Sequence, residues 1–254
     1  MANIISCRTA MFNSVEEAFS RFPETGIRAA EVPPPADGNY RALGDRAGRA
    51  GITIATLATH VDLTSDETTK PFWSVIDGAA SIRVPKIFVS AQAPDDVPRE
   101  QVIRRLHNTA AYAAEHGVTV CMETHPPLGT NGDVARATLI AVNHPGLRFN
   151  FDTANIYYYN QGTDSVTELR KVAGFVAAVH LKDTDGGYHS PNFPALGTGV
   201  VDFPSVFQTL ANSGFTGPYT LEVEGAAVDG FDVAQRVTFL QKCVAYLRKI
   251  GVMP

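Results

Sequence analysis

The sequence predicts an α/β fold, a (β/α)8 TIM barrel that forms a single domain over residues 1–254. Three observations carry this expectation. Short apolar runs of strand length alternate with amphipathic stretches of helical period, eight times along the chain. The 254 residues suit the roughly 250 residues of eight such units, and regular β-α alternation requires a parallel sheet. Four polar residues, Glu123, Asp152, His180 and Glu222, close successive runs in the second half, at separations of 29, 28 and 42 residues.

The expected strands are Asn3–Ser6, Arg28–Val32, Thr53–Ala58, Lys86–Ser90, Val118–Glu123, Arg148–Asp152, Ala177–Leu181 and Tyr219–Val223. The amphipathic stretches between them are Val15–Phe22, Tyr40–Ala50, Phe72–Ser81, Glu100–His116, Asp133–Val142, Ser165–Ala173 and Phe203–Ser213. A final helix over Asp232–Lys249 closes the chain. Gly51, Gly117 and Gly146 stand between a helix and the next strand, where a left-handed cap is expected. Asp202 before Phe203-Pro204-Ser205 reads as a helix N-cap with proline in the first turn. The long irregular stretch Asp185–Val201 follows the seventh strand, on the face where barrels carry their active sites. An open doubly wound sheet would call for a Gly-rich first turn, and ISCRTAMFNS has none.

Composition narrows the partners. The hydrophobic fraction is 44% and the charged fraction 19%, ordinary for a water-exposed globular chain. A net charge of −5 argues against nucleic acid and anionic membranes. Cys7, Cys121 and Cys243 lack metal or redox spacing and read as reduced core thiols of a cytoplasmic protein. MANIISCRTAMF lacks the basic lead and apolar core of a signal peptide, and no run of 18 apolar residues exists.

Residues two apart on a strand face the same way. Glu123 with His125, Asn150 with Asp152, His180 with Lys182, and Glu222 with Glu224 are therefore expected as polar pairs at the C-terminal ends of neighbouring strands. Three carboxylates crowded together repel strongly unless a cation lies between them. One imidazole and three carboxylates suit one divalent ion, Mn²⁺ first, with Mg²⁺ or Co²⁺ as alternatives, and not structural zinc.

In order and spacing, the segments ETHP, NFDTAN, VHLKD, GTGVVDF and LEVEG resemble the sugar phosphate isomerase/epimerase superfamily of xylose-isomerase-like TIM barrels. The resemblance spans essentially the whole chain and is strongest from about 118 to 225. It implies a divalent metal held by Glu123, Asp152, His180 and Glu222, with Glu123 and Glu222 also moving the proton. Two positions depart from the ketose-epimerase pattern: Asn155 stands where His is usual, and Lys182 is the cation near His180 where an Arg is usual a few residues beyond.

The expected function is metal-dependent isomerisation or epimerisation of a free sugar or keto-polyol through an enediolate. The alternative is a lyase on the same scaffold, eliminating from a keto-inositol, keto-acid or 3-keto-glycoside. Beyond the catalytic carboxylates, His125 is a candidate acid or substrate hydrogen-bonder and Lys182 a candidate enolate stabiliser. His60, Asn155, Lys182 and Glu224 are the candidate substrate-binding residues. Glu31 has a weaker claim, and Tyr157, Tyr158 and Tyr159 read as packing. Gly197 and Gly199 read as loop geometry, since no basic residue flanks them to form a phosphate site. A His-rich multi-zinc endonuclease does not fit this acidic chain, and a complete ligand set argues against a merely sugar-binding barrel. The expected partner is a small carbohydrate. Barrels of this kind often pair, so a homo-oligomer with the 188–195 loop over a neighbour's pocket is a further expectation.

Overall fold

The computed structural model describes residues 4–253. Its strands are β1 (Ile5–Arg8), β2 (Ala29–Val32), β3 (Thr53–Asp62), β4 (Lys86–Gln92), β5 (Thr119–Glu123), β6 (Leu147–Asp152), β7 (Val176–Leu181) and β8 (Tyr219–Leu221). They pair in parallel in sequence order, and β8 returns to β1 to close the barrel. Asn3, the expected start of the first strand, lies outside the described residues, as do Met1, Ala2 and Pro254 at the ends of the expected domain.

The helices are α1 (Val15–Thr25), α2 (Tyr40–Arg49), α3 (Asp66–Thr69), α4 (Pro71–Ser81), α5 (Arg99–Glu115), α6 (Gly132–Val142), α7 (Asn155–Tyr159), α8 (Ser165–Val172), α9 (Phe203–Asn212) and α10 (Val233–Lys249). Side-chain caps write most of their starts. Ser14, Asn39, Ser65, Asn131, Asp164, Asp202 and Asp232 each accept a backbone N–H from the first turn. Helix faces such as Ala18, Phe19 and Phe22 of α1 are buried in the layer between helices and barrel. No helix among the described residues is long and apolar enough to cross a membrane. The three cysteines are free thiols and buried.

Several boundaries differ from the sequence pattern. The first strand runs two residues past Ser6 and takes in Arg8. The third extends to Asp62 and the fourth to Gln92, where their mutual pairing continues to Asp62 opposite Gln92. The last strand ends at Leu221, one residue short of Glu222, whose N–H still reaches Leu181 O at 3.2 Å. Gly51 and Gly117 take positive φ as expected, but Gly146 does not. The left-handed cap of α6 is Asn143, with φ 48°. Gly146 is required for space instead, because a Cβ there would lie 2.1 Å from Ala110 O.

The stretch after β7 is an ordered strap. Asp183, 1% exposed, accepts N–H groups from Gly197 and Gly199 at 2.9 Å on one oxygen, and from Thr184 and Val201 at 2.9 and 3.2 Å on the other. A Cβ on Gly199 would lie 2.2 Å from Thr184 O, so the close approach depends on glycine. Residues 188–195 are seated on their own chain: Ala226 N donates to Pro191 O at 2.9 Å, and Phe193 lies over Lys182.

Replacing Asp183 with Asn puts an amide N–H₂ among four backbone donors. Urea unfolding should show a loss of about 1.5–3 kcal/mol, the range for hydrogen bonds to a carboxylate. A loss below about 0.5 kcal/mol would show that the strap does not depend on this carboxylate.

Candidate metal centre

Each residue of the centre sits where a parallel strand ends. Glu123 closes β5, Asp152 closes β6, His180 is the penultimate residue of β7, and Glu222 follows β8. Strand register sets Asp152 opposite His180, with Glu123 opposite Asn150 and His180 opposite Thr220, so the four positions are staggered along neighbouring strand ends. All four are buried, and one ligand atom from each falls within 4.8 Å of the others. His180 Nδ1 lies 3.2 Å from Glu123 Oε1, 3.3 Å from Glu222 Oε2 and 4.0 Å from Asp152 Oδ2.

The donor set suits a divalent ion. Ligands about 2.1 Å from an octahedral ion stand about 3 to 4.2 Å apart, close to the separations from His180 Nδ1. Asp152 supplies a second observation. Its Oδ1 accepts the N–H groups of Ala154 and Asn155 at 2.8 and 2.7 Å. Its Oδ2 is buried without a hydrogen-bond partner, although Lys182 Nζ lies 3.2 Å away. A buried carboxylate oxygen left aimed at a cluster of donors is what a cation site requires.

Electrostatics in the cluster are uneven. Burial pushes the Asp152 carboxyl up to about 7 against the pull of Lys182. Burial would also raise Glu222, but the charges of Lys182, His180 and Arg8 hold it well below the usual carboxylate range. Glu123 is brought down, against burial, by hydrogen bonds from His125 and His180. Burial disfavours charge on His180, yet Glu31 and Glu222 hold its imidazole well above the ordinary value. The same contest, won by Asp152 and Glu222, raises Lys182.

The expected substrate residues divide into two groups. His125 Nδ1 lies 2.9 Å from Glu123 Oε2 and 2.9 Å from Ser90 Oγ. Burial works against charge on its ring, but Glu123 outweighs it and raises the pKa. With Arg8, His60, Glu123, Glu222, Glu224 and neighbouring groups, His125 lines a cavity of about 400 Å³ at the barrel mouth. His60 is exposed at its rim, within β3 and not at its end.

Lys182 and Asn155 do not line that cavity. Lys182 is 2% exposed, with Nζ 2.8 Å from Glu222 Oε2, 2.7 Å from Glu224 Oε1 and 4.7 Å from the Phe193 ring centroid. Its ammonium balances the charge of these carboxylates and of Asp152, 3.2 Å away. Asn155 is turned inward at the start of α7, where Nδ2 donates to Thr124 O at 3.2 Å. That bond and the Asn155 N–H donated to Asp152 Oδ1 tie the start of α7 to the ends of β5 and β6. Tyr157, Tyr158 and Tyr159 fall on or beside α7, and Tyr159 packs edge-on against His125 with centroids 5.6 Å apart. The N–H groups of Gly197 and Gly199 are spent on Asp183.

Two further residues belong to the centre. Arg8, at the end of β1, donates to Glu222 Oε1 and lies 3.7 Å from Glu31 Oε1. Lys182 is therefore not the only cation at the mouth. Glu31, 1% exposed on β2, faces His180 Nε2. The sequence pattern passes over Arg8, although it closes its run just as the four clustered residues close theirs.

Comparison with known proteins agrees with this geometry. L-ribulose-5-phosphate 3-epimerase UlaE of Escherichia coli K12 is 34% identical over 119 residues, which cover 46% of this chain and 40% of that protein. The Salmonella choleraesuis enzyme of the same name is 34% identical over 133 residues, 52% of this chain and 45% of that protein. The chain thus aligns with about half the length of these curated relatives or less. Among solved structures, an L-ribulose 3-epimerase superposes with a TM-score of 0.80 at 16% identity, covering 98% of this chain and 94% of that one. D-psicose 3-epimerase from Clostridium cellulolyticum H10 gives 0.80 at 14% identity over 100% of both chains. The probable 3-DHS dehydratase AsbF from Bacillus anthracis gives 0.75 at 18%, covering 96% and 98%. These structural likenesses establish the fold. Residues 9–246 match the family described as xylose isomerase-like TIM barrel, and the chain belongs to that family.

Proposed function

We propose that this protein is a divalent-metal-dependent epimerase or isomerase of a free sugar or related keto-polyol. One observation carries the reading. Glu123 and Glu222 reach the same cavity from β5 and from the end of β8, three strands apart around the barrel, and each holds an oxygen within 3.3 Å of His180 Nδ1. The similar curated relatives are named as 3-epimerases, which supports the same class of chemistry.

Glu123, Asp152, His180 and Glu222 would hold the ion, with Mn²⁺ the best match to their donor set and Mg²⁺ or Co²⁺ next. When bound, such an ion supplies Lewis acidity towards adjacent carbonyl and hydroxyl oxygens of the substrate. The chain's own residues do the rest. A carboxylate on one side of the substrate takes the proton from the carbon between those oxygens, and the carboxylate across the cavity returns one to the opposite face. Return by the second group inverts the centre; a single group serving two carbons would isomerise instead. Each carboxylate is oriented by its remaining contacts, Glu123 by His125 backed by Ser90, and Glu222 by Arg8 and Lys182. His60, His125 and Glu224 line the cavity and are placed to bond substrate hydroxyls. Lys182 acts through Glu222 and Asp152.

The cavity favours an unphosphorylated substrate. Among its lining residues Arg8 is the one Lys or Arg, and it is engaged by Glu222 and Glu31. Three carboxylates share the lining, so a phosphate dianion would meet net repulsion with no free donor cluster. Elimination on the same scaffold would start from the same proton abstraction. Nothing in the cavity favours it, and the similar curated relatives are epimerases.

Three outcomes are expected. Glu222→Gln should cut exchange of substrate hydrogen with deuterated solvent by at least ~100-fold, within the range for a lost general base. Undiminished exchange, read by mass spectrometry or NMR, would refute that role. With Mn²⁺ present, L-ribulose or D-psicose should be turned over with a higher kcat/KM than L-ribulose 5-phosphate, and the reverse order would overturn the neutral-substrate reading. Product mass should equal substrate mass; loss of water with new ultraviolet absorbance would identify a lyase.

A further inference from the structure

The back of the His180 ring is not left to solvent or apolar packing. It faces a second buried carboxylate. Glu31 Oε1 and Oε2 lie 3.1 and 3.3 Å from His180 Nε2. Burying a fourth acid beside Glu123, Asp152 and Glu222 is costly unless it is held. Glu31 is held by Thr56 Oγ1, which donates to Oε2 at 2.8 Å, and by Arg8, whose Nε lies 3.7 Å from Oε1. Phe88 packs on the His180 ring with centroids 4.5 Å apart, and the Arg8 guanidinium lies 5.1 Å from the same Phe88 ring.

We propose that Glu31 and Arg8 are the positioning residues of the metal centre, selecting which atoms of His180 and Glu222 are offered to the ion. This rests on the metal-dependent reading above. An ionised carboxylate only accepts, so the Glu31 contact commits His180 Nε2 to carrying a proton. Nδ1 is then the nitrogen left facing Glu123, Glu222 and Asp152. Arg8 does the matching work on Glu222. It takes Oε1 and so turns Oε2, which is 3.3 Å from His180 Nδ1 and accepts from Lys182 Nζ at 2.8 Å, towards the cluster. One guanidinium thus ties the carboxylate behind the imidazole to the carboxylate beside it. Hydrogen-bonded carboxylates behind ligating imidazoles fix ring orientation and basicity, and losing one weakens metal binding about 10–100-fold.

The test is Mn²⁺ binding by calorimetry on the intact chain, with the His180 ring nitrogens read by ¹⁵N NMR in the Mg²⁺ form. Glu31→Leu removes the acceptor at similar volume and should weaken Mn²⁺ binding by ~10–100-fold. Glu31→Gln, whose carbonyl still accepts from Nε2–H, should recover most of that loss. Wild type should show a proton on Nε2 and none on Nδ1. Glu31→Leu binding Mn²⁺ within about twofold of wild type, or Glu31→Gln losing as much as Glu31→Leu, would overturn the proposal. Should Glu31→Leu not fold, the wild-type spectrum and Thr56→Val decide. A protonated Nδ1, or unchanged affinity in Thr56→Val, counts against it, and an Nε2 proton with weakened affinity in Thr56→Val supports it. A wild-type protein with no Mn²⁺ affinity would instead refute the metal centre itself.

Discussion

Crowded negative charge at the mouth of the barrel governs the rest of this molecule. Glu31, Glu123, Asp152 and Glu222 are each no more than 5% exposed, and they are gathered about one imidazole. An isolated buried carboxylate is untenable, so every one of them has acquired partners. Lys182 lies under Glu222 and Asp152, Arg8 bridges Glu222 and Glu31, and His180 stands in the middle of all four. The cations have come inward because the acids had to be there. A purely structural core of this size would have used apolar side chains, as the layer between barrel and helices does.

The loops divide the mouth unequally. On the β6 to β8 side, α7, the strap pinned by Asp183 and the ring of Phe193 close over Lys182. On the β1 to β4 side, Arg8, Thr59, His60, Phe88 and Ser90 leave the cavity open. The closed half carries three of the four clustered donors and fixes their geometry. In the open half Arg8, Phe88 and Ser90 hold parts of that geometry, while Thr59 and His60 line the cavity without a contact to the cluster. Separating rigid chemical groups from adaptable recognition groups lets one scaffold serve related substrates.

Much of this was legible in the sequence. Strand-length apolar runs at regular pitch gave the barrel, and polar residues closing four of those runs gave the cluster, because the end of a barrel strand is where side chains leave the core. The cap at Asp202 was equally local. What stayed hidden depends on contacts distant in the chain. The contacts of Lys182 and Asn155, with Glu222 at forty residues and Thr124 at thirty-one, could not be read from position alone. Arg8 and Glu31 lie in the first two units, and only barrel closure brings them to His180. Gly146 shows the same limit on a smaller scale: its requirement comes from the backbone of Ala110 and not from its own torsion angles.

That closure spans most of the chain. Ser6 meets Thr220, and Arg8 meets Glu222, across 214 residues of chain at the seam between first and last strands. Glu31 on the next strand is near Arg8 in sequence, but Glu222 comes from the final stave. The charge balance at the mouth is therefore completed by the same contact that seals the cylinder.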